Sequence, residues 1–352
     1  MELIEAILVS ENKIELQSKK LRKLNDNELL IKVIACGLCS SEFPVIKGEV
    51  QGVRGASFRY AKYPSYLGHE VTGIVLDYGA KVSNFAVGDR VTGIAYEGSG
   101  FATHVISPSE MMIKVPEHIP LEYALGEPLM AVLNAVRMAG PDFGDSVFLV
   151  GDGFMSLLTV AMLKEYPLKN IIISGHHQSR LNIAKNLGAT KIINSKFEDP
   201  YWETRKIIDG ANFDEELTLW KGGVDIAFEY AGKMSTLQLC ASLCKAKKNA
   251  KLMMTSFYSP EDFTLGHYLI NRAPCLIPSF PAHSRDPFDD LDRATWALGE
   301  NLLFMEKLIT HSFELENINM ALDYAYSRKD SYIKGIITPN FKDLESNIKK
   351  IK

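Results

Sequence analysis

At about 150 residues per domain, the 352-residue chain is long enough for two domains. Hydrophobic residues make up 46% and charged residues 23%, with 25 glycines and 15 prolines spread along the chain, which excludes disorder, collagen-like repeats and coiled coil. Lysine and arginine (39) nearly balance aspartate and glutamate (43), for a net charge of −4, and only Lys245, Lys247 and Lys248 cluster, so no nucleic acid partner is expected.

The first residues, MELIEAILVSENKIELQ, carry Glu2 and Glu5 where a secretory signal needs a basic start and an unbroken apolar stretch. The longest mainly apolar run, Phe154 to Leu163, is about half of a membrane-spanning helix and contains Ser156 and Thr159. A cytoplasmic protein without a membrane partner is expected. Cys36, Cys39, Cys240, Cys244 and Cys275 are odd in number and follow no framework spacing, so a disulfide scaffold is not.

The first third contains short β-branched runs separated by glycine: ELLIKVIAC, EVTGIVLDYG, DRVTGIAY, FATHVISP and MMIKVP. They predict the strands of a compact all-β unit. From about Pro128 the texture changes to a helix (Pro128 to Met138), SVFLVG, a helix (Phe154 to Tyr166), NIIISG, a helix (Ser179 to Leu187) and ATKIIN. That alternation predicts a parallel sheet wound with crossover helices. VDIAFEYAG and AKLMMTSF are apolar enough for strands buried on both faces. After CLIPSF a helical stretch runs from Asp289 to Leu308, followed by a strand, YIKGIITP, and an exposed helix or tail, FKDLESNIKKIK. The layout is that of an α/β protein with a β-rich appendage.

Between SVFLV and the apolar helix lies Gly151-Asp152-Gly153-Phe154-Met155-Ser156. Glycines at the first two pattern positions allow a tight turn and let the backbone approach a pyrophosphate on the positive end of a helix. Ser156, at the third position, is small enough for helix to pack on strand. The next strand ends at Gly175, followed by His176, His177, Gln178, Ser179 and Arg180, with no acid for a ribose 2′-hydroxyl. Gly175, His176, Ser179 and Arg180 therefore suit NADP better than NAD, which stays possible. The alternative is that Ser179 caps the helix and Arg180 is a solvated first-turn residue.

The β-rich part carries Gly37-Leu38-Cys39-Ser40-Ser41-Glu42, then Gly68-His69-Glu70, then Gly126-Glu127-Pro128-Leu129. Cysteine, histidine and carboxylate are zinc's donors, and three protein ligands leave a position open for catalysis. Together with VGDRV at 87–91, GEPLMAVLNAV at 126–136, the glycine turn, LGAT at 187–190 and YIKGIITP, they make the chain resemble the zinc-dependent alcohol dehydrogenase branch of the medium-chain dehydrogenase/reductase family over nearly its whole length. The resemblance implies an α/β fold. A GroES-like β domain would cover 1–130, completed by 283–352, and a doubly wound Rossmann domain 131–282, with the active site in the cleft between them.

It also implies one catalytic zinc per subunit. Cys39 and His69 match zinc ligands, and Glu70 matches a residue that binds the metal or lies just behind it. Glu127 stands where simple alcohol dehydrogenases have a second cysteine, and GEPL moves the resemblance toward polyol and threonine dehydrogenases. Ser41 matches the hydroxyl that relays the substrate proton, and Glu42 the acid that orients the ligand histidine. Lys334 lies where relatives place a basic residue near the cofactor phosphates, but is read here as solvated.

The sequence departs from the family at three places. Pro44 replaces a histidine at the outer end of the proton relay, the stretch VTGIAYEGSGFATHV lacks the four cysteines of a structural zinc lobe, and IKGEVQGVRGASFRYAKYPSY is long and aromatic. The last is expected to shape the substrate pocket.

The implied chemistry is hydride exchange between the nicotinamide and a secondary alcohol, polyol or amino alcohol, or the corresponding ketone, with zinc acidifying the hydroxyl and Ser41 taking its proton. The rivals are a metal-free NADPH-dependent reductase of enones or quinones and a catalytically silent binding protein. Retention of Cys39, His69 and Glu127 together argues against both. CLIPSF at 275–280 lies where relatives pair sheets across a two-fold axis, so a homodimer or homotetramer is expected. Cys36, Cys240 and Cys244 are read as core, His104 as a weaker candidate for the cleft, and Asp225 and Glu229 as serving the sheet edge and cofactor loop.

Overall fold

The computed structural model describes residues 2–48, 63–95, 99–211, 222–246, 249–256, 258, 266–280, 284–327, 329 and 331–339. Most of the aromatic segment between the ligand motifs, Lys247, Lys248, His283 and the C-terminal segment FKDLESNIKKIK lie outside them. The chain divides into two compact units, one of Met1–Leu129, Leu291–Asn301 and Met305–Lys352, the other of Met130–Asp290 and Leu302–Phe304.

The first unit opens with a hairpin, β1 (Glu2–Ser10) and β2 (Lys13–Lys20), followed by β3 (Glu28–Gly37), the short helix α1 (Phe43–Ile46), β4 (Ser65–Tyr66), β5 (Glu70–Tyr78), β6 (Arg90–Ile94), β7 (His104–Pro108) and β8 (Met112–Lys114). Over most of its length β3 alternates buried and half-buried residues, as a strand of an antiparallel sheet with one packed face should. It pairs antiparallel with both β5 and β7. Leu29, Ile31 and Val33 of β3 join Val71 and Val75 of β5 and Phe101 in one hydrophobic core.

Next come α2 (Gly126–Ala139), β9 (Ser146–Val150), α3 (Phe154–Leu163), β10 (Asn170–Gly175), α4 (Gln178–Leu187), β11 (Lys191–Asn194), α5 (Pro200–Asp209), β12 (Ile226–Glu229), α6 (Met234–Leu243), β13 (Lys251–Met254), α7 (His267–Arg272) and β14 (Cys275–Pro278). These six strands form a parallel sheet in the order β11-β10-β9-β12-β13-β14. Winding reverses between β9 and β12, which opens a crevice at the carboxyl ends of the strands, where the glycine turn lies. Every residue of β9 and β12 is buried, so neither strand alternates in sequence.

The chain returns through α8 (Pro287–Gly299) and α9 (Met305–Leu308) to β15 (Ile309–Glu314), α10 (Ile318–Tyr326) and β16 (Lys334–Thr338). The single helical stretch expected from Asp289 to Leu308 is two helices, with Asn301 between them at φ 56°, a left-handed conformation that interrupts an α-helix. Strand β16 joins β3 antiparallel and β15 parallel, completing a sheet of β15-β16-β3-β5-β6-β8 with β7 beside β3.

Candidate active site

Cys39, His69 and Glu70 come together in the first unit, each offering a ligand atom within 4.8 Å of the others. Cys39 follows the end of β3, where Leu38 N–H donates to the Gly335 carbonyl at 2.9 Å. His69 immediately precedes β5, and Glu70 is its first residue, opposite Gly37 in the ladder. Two glycines make this possible. A Cβ on Gly37 would collide with the Glu70 carboxylate, and one on Gly68, at φ +85°, would lie 2.6 Å from the Phe101 nitrogen.

Buried Glu42 ties the loops together. Its Oε1 accepts the Gly68 N–H at 2.5 Å and lies 3.4 Å from His69 Nδ1. Ser41 Oγ donates to Cys39 Sγ at 3.2 Å. Glu127 sits in the first turn of α2, where Gly126 N–H donates to Thr92 Oγ1 at 2.8 Å. It falls outside the 4.8 Å group but interacts electrostatically with His69 and Glu70.

Lys334 is not solvated. It begins β16, is 5% exposed, and its Nζ lies 2.7 Å from both oxygens of Glu70, donating a hydrogen bond to Oε1. Burial alone would favour the neutral amine, but the Glu70 carboxylate, helped by the nearby Cys39 sulfur, outweighs it and raises the Lys334 pKa.

Among the described residues, one ammonium faces several acids here. The Cys39 thiol and the carboxyls of Glu42, Glu70 and Glu127 converge on the site, and among the described residues the buried Glu42 Oε2 finds no hydrogen-bond donor. Protons take up the imbalance. Burial would depress His69, but Cys39 and Glu42 more than reverse this and push it well above its ordinary value. Burial, opposed by the charge of His69 and reinforced by that of Glu70, pushes the Glu127 carboxyl up to about 7. A sulfur, an imidazole and carboxylates with surplus negative charge fit a divalent zinc ion, which would replace those protons.

In the second unit Gly151, at φ +110°, makes the turn after β9, and Gly153 is the N-cap of α3 without any side-chain cap. A Cβ on exposed Gly153 would meet no described residue within 4 Å, which leaves the helix end accessible to a phosphate group. Ser156 is wholly buried in α3.

Beyond β10 the outcome differs from expectation. The N-cap of α4 is His177, not Ser179, which is exposed in the first turn, as is His176 before it. Arg180 is neither solvated nor turned outward: it is 6% exposed, with Nη1 3.5 Å from Asp152 Oδ1. A carboxylate is thus present near Gly175, supplied by the glycine turn on the neighbouring strand rather than by the segment that follows β10. Among the weaker candidates, Cys36, Cys240 and Cys244 are core, Asp225 accepts from Ser146 N–H at 2.9 Å, and Glu229 accepts from the N–H groups of Ala231 and Gly232.

A parallel nucleotide-type sheet in one unit and a Cys-His-carboxylate group in a β-rich other define a two-unit dehydrogenase class, and comparison with known proteins agrees. Residues 25–117 match the alcohol dehydrogenase GroES-like domain. The chain is 31% identical over 252 residues to L-threonine 3-dehydrogenase of Pyrococcus abyssi, covering 64% of this chain and 67% of that protein. It is 24% identical over 370 residues to sorbitol dehydrogenase of Bacillus subtilis, covering 95% and 97%. Its fold superposes, at TM-score 0.82 and 22% identity over 97% of this chain and 100% of the other, on an Escherichia coli oxidoreductase/dehydrogenase of unknown specificity involved in membrane biogenesis. The chain belongs to the zinc-type alcohol dehydrogenase branch of the medium-chain dehydrogenase/reductase family. It is an oxidoreductase of alcohols.

Proposed function

We propose that the protein is a zinc-dependent dehydrogenase exchanging hydride between a nicotinamide cofactor, NADP in preference to NAD, and a secondary alcohol, polyol or amino alcohol or the corresponding ketone. The observation that carries this reading is the Cys39, His69 and Glu70 group, whose ligand atoms lie within 4.8 Å of one another. Cys39 and His69 would hold the metal together with a carboxylate. Glu70 already lies in their group, and Glu127 is the acid whose proton a cation would displace. Zinc bound there supplies Lewis acidity toward the substrate oxygen.

The chain's own residues do the rest. Glu42 fixes the Gly68–His69 backbone and faces His69 Nδ1, which leaves the other ring nitrogen for the metal. Ser41 Oγ, which donates to Cys39 Sγ, has lone pairs to accept a hydrogen bond from the substrate hydroxyl, and would take that proton only as it releases its own to a solvent water. With Pro44 two residues beyond Glu42, that proton leaves without a histidine relay. The open end of α3 at Gly151 and Gly153 would take the cofactor pyrophosphate, with exposed His176 and Ser179 beside the adenosine ribose. Edge strand β14, with Leu276 37% exposed, supports a homodimer or homotetramer.

The test is a panel of polyols, 3-hydroxy amino acids and simple secondary alcohols, with NADP and NAD, before and after zinc removal. Zinc-restored turnover with at least one alcohol class, faster with NADP, is expected. Undiminished enone or quinone reduction by the zinc-free protein would transfer the assignment to the metal-free reductases.

A further inference from the structure

The middle residue of the glycine turn is given no part by the turn's pattern, yet it gathers a set of polar contacts from the segment that follows β10. Asp152 is 7% exposed. Its Oδ2 accepts the backbone N–H groups of His176 and His177, each at 2.7 Å. His177 Nδ1 lies 3.1 Å from both carboxylate oxygens, and Arg180 Nη1 3.5 Å from Oδ1. Burial would raise the carboxyl's pKa, but the His177 N–H and imidazole, with Arg180, bring it below its ordinary value, so the group is an anion at neutral pH.

Glycine at 175 belongs to the same arrangement. A Cβ there would lie 2.5 Å from the Cβ and Oδ2 of Asp152, so the space where a side chain at the end of β10 would start is filled by a carboxylate from β9's turn. That carboxylate differs from an acid at position 175 in what it can offer. Its oxygens face the protein's own donors, so it is committed to holding residues 175–180 and is not presented to a ribose hydroxyl. It also draws the Arg180 guanidinium inward and offsets its charge, which leaves exposed His176 and Ser179 to meet whatever the ribose carries at its 2′ position.

We propose that Asp152 is the positioning residue for the adenosine-ribose end of the cofactor site, and that its negative charge, set against Arg180 and His177, limits the preference for a 2′-phosphate. This rests on the nucleotide-binding reading of the glycine turn. The contacts of Asp152 are with residues 176, 177 and 180, so its effect should fall on discrimination between the two cofactors.

The experiment is fluorescence titration of the zinc-loaded wild-type protein and its variants with NADPH and with NADH, read as the ratio of the two dissociation constants. Asp152→Asn keeps an acceptor oxygen for the turn and removes the charge. It should shift the ratio toward NADPH by roughly tenfold, the scale of one charge removed a few ångströms away in a half-screened site. Asp152→Ser keeps an acceptor and loses the charge in the same sense, and serves where Asp152→Asn does not fold. Arg180→Gln should move the ratio the other way. A purely structural Asp152 would lower the melting temperature and leave the ratio at the wild-type value, and that result overturns the proposal. Failure of the wild type to bind either dinucleotide overturns the nucleotide reading itself, so the two failures are distinguishable.

Discussion

Lys334→Met removes the ammonium and leaves the Glu70 carboxylate where it is, 1% exposed at the side chain and wedged against Gly37. In the wild type the pair is 2.7 Å apart, with Lys334 6% exposed at its side chain, so neither partner is screened by water. Deleting one member of such a pair costs about 3–5 kcal/mol, because the survivor is a buried charge without compensation. For a unit of this size that corresponds to a melting temperature lower by about 6–20 °C. The loss is specific to charge. Glu70→Gln combined with Lys334→Met removes both charges from nearly the same volume and should recover most of the stability. The assay is thermal unfolding of the zinc-free wild type, the Lys334→Met variant and the double variant, followed by far-ultraviolet circular dichroism. A Lys334→Met loss below about 1 kcal/mol, the range of an exposed pair, or a double variant no more stable than the single one would refute the buried-pair argument.

Three other perturbations have defined outcomes. Gly37→Ala puts a methyl group into the Glu70 carboxylate and 3.0 Å from Leu125 Cδ1, so it should cost about 1–3 kcal/mol in denaturant unfolding and weaken zinc retention on dialysis. Asp199 accepts the Tyr201 and Trp202 N–H groups at the start of α5, and Asp199→Ala should lower stability by about 1 kcal/mol in the same measurement. Glu28 is held down to about 2 by paired bonds of 2.6 and 2.7 Å from Arg22, against an ordinary value of 4.5. Its folded pKa lies below its unfolded one, so its stabilisation is present above about pH 4.5 and lost as pH falls toward 2. Arg22 is half exposed, which trims the contribution to about 1–2 kcal/mol, and Glu28→Gln should be less stable than wild type near neutrality and converge with it in acid unfolding.

Much of the fold is legible because its signals are local. Glycines separate the β-branched runs that become β3, β5 and β6, and the switch to strand-helix alternation marks the parallel sheet. The hairpin of β1 and β2, α5 and α10 escape such a reading: β2 is almost wholly exposed, and the two helices carry no run that stands apart from their surroundings. Cys39, His69 and Glu70 are legible through their motifs, each within one short stretch.

Partners far apart in sequence are not. Lys334 reaches Glu70 across 264 positions because β16 lies beside β3 and β3 beside β5, a register that no single segment encodes. Asp152 meets His177 across 25 positions because β9 and β10 are neighbours, and a search for an acid after β10 passes over one that follows β9. The signal available was Gly175 itself, a glycine at a strand end with a positive-φ glycine turn beside it.

The central claim, that Cys39, His69 and a carboxylate form a zinc site, is tested most directly by metal content. Elemental analysis of the wild type and of Cys39→Ala and His69→Ala variants, purified in zinc-replete buffer, should give about one zinc per wild-type chain and little in either variant. Wild-type protein that emerges without zinc, or variants that keep it in full, would contradict the account.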